Sequence, residues 1–198
     1  MRLIAEGRAS EILDLGDGRV LRRFKKGGNP QCEARVMEHA RRHGYPVPEL
    51  FEVRPDALVL ELVEGPTMAA SGLAQPETMD ALARTLADLH DRLHGVPGLE
   101  RDTLLHLDLH PENVLLSTRG PVVVDWTNAG AGEPAFDVAL VWVILVGTGE
   151  PIAERFARDF VAHFDGWRAG LDDALAYRFA DPNVTDEERA RLEPMRNH

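Results

Sequence analysis

The chain has 198 residues, 28% charged and 44% hydrophobic, enough for one sizeable core or two small lobes, which excludes both a disordered chain and a string of independent domains. A net charge of −11 argues against a nucleic-acid partner, which would call for a basic patch. The one long apolar run, Val138 to Val146, is nine residues, about half of the ~18 that a membrane span needs, and a single cysteine, Cys32, excludes an intramolecular disulfide and a cysteine-based zinc cluster.

The first residues carry no apolar stretch of signal-peptide type, so the expectation is a cytoplasmic protein without a membrane or nucleic-acid partner. Nothing in the sequence assigns an oligomeric state. Positions 1–65 hold 11 acidic and 11 basic residues, and positions 66–198 hold 22 and 11. The excess acid therefore lies wholly in the second part, which fits either a cationic substrate or a solvated acidic surface.

In chain order, Arg2 to Gly7 and Glu11 to Leu15 read as strands, joined by a tight loop through Arg8 and Ala9. Gly16-Asp17-Gly18 signals a hairpin, because Asp-Gly tolerates the positive φ of a two-residue turn. Arg19 to Phe24 is the third strand, with Val20, Arg22 and Phe24 on one face. Asn29-Pro30 reads as an N-cap and first helical residue, opening a helix to about Arg42 that stops at Gly44. Pro46 and Pro48 precede two further strands, Leu50 to Val53 and Ala57 to Leu62.

Gly65-Pro66 marks a lobe boundary, giving 1–65 as a nucleotide-binding lobe and 66–198 as a catalytic and substrate lobe. Pro76 opens a long helix whose Leu82, Leu86, Leu89 and Leu93 recur at helical spacing. An apolar helix from about Pro134 to Val146, another from Pro151 to about Trp167, and a last helix opened by Thr185 with Glu188 as a capping box complete the pattern.

Chemistry concentrates in His106-Leu107-Asp108-Leu109-His110-Pro111-Glu112-Asn113. An Asp followed five positions later by an Asn places a base and a metal ligand on one loop. Val122-Val123-Val124 then ends in Asp125-Trp126, where a second metal ligand belongs. An Asp at a strand end is more often a turn-former or cap, but Asp108, Asn113 and Asp125 in this order meet the needs of phosphoryl transfer from ATP. Asp108 orients or accepts the proton of a substrate hydroxyl; Asn113 and Asp125 supply hard oxygens to Mg²⁺.

These residues resemble the catalytic loop of the aminoglycoside phosphotransferase and choline kinase-like family. Val123-Val124-Asp125-Trp126 resembles its metal-binding motif, and Gly132 to Ala139 its next segment. The resemblance implies an α+β, two-lobed protein-kinase-like fold: a small antiparallel-sheet lobe with one helix, and a mainly helical second lobe. It implies that Asp137 braces the catalytic loop, and that ATP lies between Ser10, Val20, Arg22, Glu33 and the hinge residues Glu61, Leu62 and Val63. The acceptor is then a small-molecule hydroxyl compound, possible members of that class including amine-bearing ones.

Three departures stand out. Arg22 occupies the third-strand place of the usual lysine; being planar and permanently charged, it is expected to pair with Glu33 and face the α- and β-phosphates. Only Gly7 precedes Ser10 in the glycine-rich loop. The C-terminal part is short, which limits the acceptor pocket. Lys25 and Lys26, the chain's two lysines, read as solvated, His106 and His110 as loop supports, and Trp142 and Trp167 as core residues rather than an amine cage. The alternatives are an atypical protein kinase, opposed by the 11 residues between Asp125 and Asp137, and a nucleotide-binding pseudokinase, favoured by Arg22.

Overall fold

The computed structural model describes residues 1–7, 10–25, 28–100 and 102–197. The expected loop through Arg8 and Ala9, and Lys26, lie outside the described residues.

Three strands open the chain: β1 (Arg2–Glu6), β2 (Ser10–Asp14) and β3 (Arg19–Phe24). The hairpin between β2 and β3 is wider than a two-residue turn. The Leu15 N–H donates to the Arg19 carbonyl at 3.0 Å across Gly16-Asp17-Gly18, with both glycines at positive φ. Helix α1 (Pro30–Arg42) starts where the sequence places it: the Asn29 side chain accepts the Cys32 N–H at 3.1 Å, one of the first-turn donors that has no partner within the helix. After β4 (Leu50–Val53) and β5 (Ala57–Glu61) the five strands lie antiparallel in the order β1-β2-β3-β5-β4.

The second lobe is mainly helical. Helix α2 (Met68–Ala74) follows Thr67, whose hydroxyl accepts the Ala70 N–H. Pro76–Thr78 forms only a 3-10 turn, and α3 (Met79–His94) begins after it. Short strands β6 (Thr103–Leu105), β7 (Val114–Ser117), β8 (Gly120–Val123) and β9 (Gly130–Gly132) pair as β6 with β9 and β7 with β8. These two small ladders carry the loops of interest.

Helix α4 (Pro134–Gly147) is buried on nearly every side, as its unbroken apolar run requires. Helix α5 (Pro151–Val161) ends six residues short of Trp167, and the chain then turns through Gly166 at φ +73°. Helix α6 (Leu171–Ala180) packs on α4. The turn before it comes so close that a side chain at Gly170 would meet the Ala135 carbonyl oxygen at 2.3 Å. Helix α7 (Asp186–Leu192) has half a capping box: Thr185 accepts the Glu188 N–H, but the Glu188 carboxylate turns to Arg178.

One core cluster runs through both lobes, from Val20, Met37 and Leu60 to Leu89, Trp126 and Phe160. Polar ties reinforce the junction. Tyr45 donates its hydroxyl to the Leu89 carbonyl at 3.1 Å, the Val123 N–H donates to the Pro46 carbonyl at 2.8 Å, and Arg119 pairs with Glu61 at 2.6 Å. Among the described residues no helix is long and apolar enough to cross a membrane.

Candidate active site

The segment from His106 to Asn113 leaves β6 and enters β7 through a 3-10 turn, Pro111–Asn113. Leu107, just before Asp108, takes a left-handed φ of +61°, which costs a non-glycine residue about 1–2 kcal/mol. Asp137, 1% exposed at the start of α4, offsets that cost: its carboxylate accepts the backbone N–H of Leu107 at 2.8 Å and of His106 at 3.2 Å. A third contact, to His94 Nε2 at 3.1 Å, comes from α3. Burial works to raise the Asp137 carboxyl, but the hydrogen bond from His94 and the surrounding histidines hold it down at about 2.

Asp125 follows β8 and is itself left-handed, at φ +62°. Behind it, Trp126 is 1% exposed and donates Nε1–H to the Val123 carbonyl at 3.0 Å. The His106 ring packs on Trp126 at 4.7 Å between centroids and donates Nε2–H to the Val124 carbonyl, which ties the two loops together. Burial lowers the His106 pKa, against the pull of Asp137.

Asn113 turns its amide nitrogen to the Asp108 carbonyl at 2.8 Å and to Asp108 Oδ2 at 3.2 Å, so its amide oxygen is the atom left for the cleft. His110 Nε2 stands 3.5 Å from Asp108 Oδ1. One amide oxygen and one carboxylate, from Asn113 and Asp125, are hard oxygen donors of the kind that could hold a divalent ion such as Mg²⁺.

Arg22 is 4% exposed and Glu33 3%. They pair directly, as the shared strand face predicts. The guanidinium also reaches across the lobes to Asp125 Oδ1 at 2.5 Å and Thr127 Oγ1 at 2.9 Å, while Nε donates to Ser10 Oγ at 3.0 Å. Ser10 thus serves Arg22 in this structure. Burial raises Glu33 despite Arg22. At Asp125 burial pulls the same way, but the Arg22 charge and hydrogen bond outweigh it and hold the carboxyl below its ordinary range. Lys25 lies outside this network, bonded to Glu6 and the Gly7 carbonyl.

Two cavities meet at Asp125. One, of about 590 Å³, is bordered by Ser10, Val20, Arg22, Glu33, Glu61, Leu62, Val63 and Asn113. The other, of about 800 Å³, is bordered by Asp108, His110, Thr127, Tyr177, Arg178, Asp181 and Glu188. Every residue named for the site from the sequence therefore borders one cavity or the other.

Thr127, Tyr177, Arg178 and Asp181 escaped the sequence reading. Thr127 lies just beyond a recognised motif, and the other three are on or beside α6, whose weak periodicity gives no helix signal. Trp142 and Trp167 pack against each other in a tilted arrangement, 5.3 Å between ring centroids, and border neither cavity.

A sequence model of the RIO domain matches residues 28–132, over half the chain, and that of the Phosphotransferase enzyme family matches residues 93–172. The ADP-bound aminoglycoside phosphotransferase APH(2'')-Ib superposes with a TM-score of 0.67 at 13% identity, over 97% of this chain and 91% of that one. The chain belongs to the RIO-domain family. It is similar to the Phosphotransferase enzyme family over residues 93–172 and shares the kinase-like fold of aminoglycoside phosphotransferases.

Further proteins are similar in fold or over part of their sequence. Plasmodium vivax ethanolamine kinase gives a TM-score of 0.67 at 11% identity, over 98% of this chain and 81% of that one. In sequence, a probable bifunctional tRNA threonylcarbamoyladenosine biosynthesis protein from Methanoculleus marisnigri is 25% identical over 183 residues, 82% of this chain and 32% of that protein. Thiamine kinase from Salmonella paratyphi B is 40% identical over 50 residues, 25% of this chain and 18% of that protein. The chain thus spans about a third or less of the length of these two sequence relatives.

Proposed function

We propose that the chain is an ATP- and Mg²⁺-dependent phosphotransferase that moves the γ-phosphate of ATP to a hydroxyl of a small, amine-bearing molecule. The observation that carries this reading is the position of Asp125 on the border of both cavities, with Asn113 on one side and Asp108 on the other. Phosphoryl transfer asks for donor and acceptor in line, with charge neutralised between them.

In this reading residues 1–65 and the hinge hold the nucleotide, with the adenine against Val20 and Glu61 to Val63. Residues 66–198 supply catalysis and the acceptor. Asn113 and Asp125 would hold the metal, which neutralises phosphate charge when bound. Asp108 orients the acceptor hydroxyl and takes up its proton; an ordinary carboxylate is a weak base, so positioning is its larger contribution.

The acceptor class follows from charge. Among the described residues, Asp108, Asp125, Asp181 and Glu188 border the larger cavity against one arginine, Arg178, which is itself tied to Glu188 at 2.6 Å and to Asp181 at 3.2 Å. A hydroxylated cation suits such a cavity, and aminoglycosides, ethanolamine and thiamine are of that class. The contact of Arg22 with Asp125 favours a second reading, a nucleotide-binding protein that acts by association.

The test is transfer of radiolabelled γ-phosphate to a panel of cationic, neutral and anionic alcohols, with and without Mg²⁺. Metal-dependent transfer to a cationic alcohol is expected. Nucleotide binding without ATP turnover on any alcohol, or in its absence, would replace this reading with the second.

A further inference from the structure

Arg22 spends four N–H groups on protein acceptors: Ser10, Glu33, Asp125 and Thr127. Thr127 Oγ1 closes the ring, lying 3.0 Å from Glu33 Oε2 and 2.9 Å from Asp125 Oδ1. Its one proton serves only one carboxylate at a time. While Thr127 accepts from Arg22 and donates to Glu33, Asp125 Oδ1 depends on Arg22 for its hydrogen bond.

Asp125 is the anionic member of the metal-binding pair assigned above. A guanidinium 2.5 Å from its Oδ1 already neutralises the charge a divalent ion needs, and a second cation on the same carboxylate would meet Coulomb repulsion at close range.

We propose that Arg22 and Thr127 form an exchange latch at the metal site. Without nucleotide, Arg22 stands at Asp125 in the cation's place. Phosphate oxygens, matched to the flat guanidinium fork, draw Nη2 off Asp125 while Nη1 keeps Glu33. The Thr127 hydroxyl then turns its proton from Glu33 to Asp125 Oδ1, holding that carboxylate in place as the ion arrives. A lysine, with one nitrogen at the end of its chain, cannot span Ser10, Glu33, Asp125 and Thr127 in this way, so the arginine makes the difference. The consequence is strong coupling: the chain takes up the divalent ion with nucleotide and hardly at all alone. This inference rests on the assignment of Asp125 as a metal ligand.

Manganese(II) is a suitable probe, since it shares the preference for oxygen donors and its free form is read by electron paramagnetic resonance. Titrate the full chain, the Arg22→Lys variant and the Arg22→Lys/Asp125→Asn double variant with Mn²⁺ in the absence of nucleotide. Arg22→Lys is expected to bind Mn²⁺ at least about tenfold more tightly than the parent, and the gain should vanish in the double variant. Equal affinity of parent and Arg22→Lys overturns the latch, as does a gain that survives loss of Asp125.

Thr127→Val keeps shape and charge and supplies a second reading should Arg22→Lys fold poorly. Measured against the variant's own metal-free ADP binding, the enhancement of ADP binding by Mn²⁺ should fall severalfold. An unreduced enhancement overturns the role of Thr127. These comparisons are separate from the proposed activity: failure of the parent to bind ADP would overturn the nucleotide site, whereas the nucleotide-free titration reads the latch.

Discussion

Asp137 holds the Leu107 N–H at 2.8 Å from thirty residues further along the chain, and so fixes the left-handed residue that precedes Asp108. Because the same carboxylate also takes the His106 N–H and His94, replacing it strands buried donors, each at about 1–3 kcal/mol. Asp137→Asn, which offers one acceptor oxygen in place of two, should lower stability by about 2 kcal/mol or more. It should also reduce kcat more than nucleotide affinity. Urea unfolding and steady-state kinetics check this; wild-type values of both would remove the bracing role.

Asp108 and Asp125 should separate by what they damage. Asp108→Asn is expected to leave nucleotide binding nearly intact and cut turnover by roughly 10²–10⁴, the scale of a lost general base. Asp125→Asn should weaken metal-dependent nucleotide binding as well as rate. Calorimetric titration with Mg²⁺–ADP beside a turnover assay distinguishes them, and wild-type turnover in both variants would defeat the site assignment.

Arg22→Ala should behave first as a folding variant. It leaves Glu33 buried without its cation and takes the partner from Asp125, and breaking a buried pair costs about 3–5 kcal/mol. Arg22→Lys keeps a charge near Glu33 and should be active. Its apparent KM for ATP should change more than its discrimination between acceptors. Thermal unfolding of the alanine variant within a degree or two of the parent would contradict the buried network.

Much of the first lobe is legible locally. Arg19–Phe24 and Pro30–Arg42 appear where alternation, Asn29 and Pro30 place them, because caps and period-two patterns are properties of neighbouring residues. Helix α6 is different. Leu171-Asp172-Asp173-Ala174-Leu175 offers no clean stripe, and what holds it is packing on α4, so Tyr177 and Arg178 had no signal. The bond from Arg22 to Asp125 spans 103 positions. The strand face legible in the sequence leads Arg22 to Glu33 but says nothing of what a five-donor fork does with its other hydrogens.

His90 offers a pH test away from the site. It is fully buried against Phe160, donates Nδ1–H to the Leu86 carbonyl, and leaves Nε2 with no partner among the described residues. Burial pushes its pKa down to about 4, so the folded state stays neutral where the unfolded state, near ~6.5, gains a proton. The unfolded chain binds more protons in that window, and stability falls as pH drops from about 6.5 to 4, by roughly 2 kcal/mol at pH 5. His90→Leu should remove that part of the slope. Urea midpoints at pH 7 and pH 5 for parent and variant give the comparison, and parallel losses in both would show that His90 is not the group responsible.

The larger cavity, proposed above to take the acceptor, carries the last prediction. Four bordering carboxylates face one arginine that is already paired, and Asp125 among them is neutralised by Arg22 or by metal in every state proposed here. The remaining field comes from Asp108, Asp181 and Glu188 against Arg178, which leaves a net negative wall opposite the acceptor. Such a wall attracts amines and repels sugar phosphates and carboxylates, over a screening distance of ~8–10 Å at ordinary ionic strength. kcat/KM for a cationic alcohol should therefore exceed that for an anionic alcohol of similar size, and should fall as salt is raised. Glu188→Gln is a poor probe because it removes the shorter of the two ion pairs of Arg178. Asp181→Asn keeps the Asn183 contacts partly in place and should narrow the cationic preference severalfold. An anionic preferred acceptor, or a cationic one indifferent to salt, would mean that shape and hydrogen bonding, rather than the charge of the wall, select the substrate.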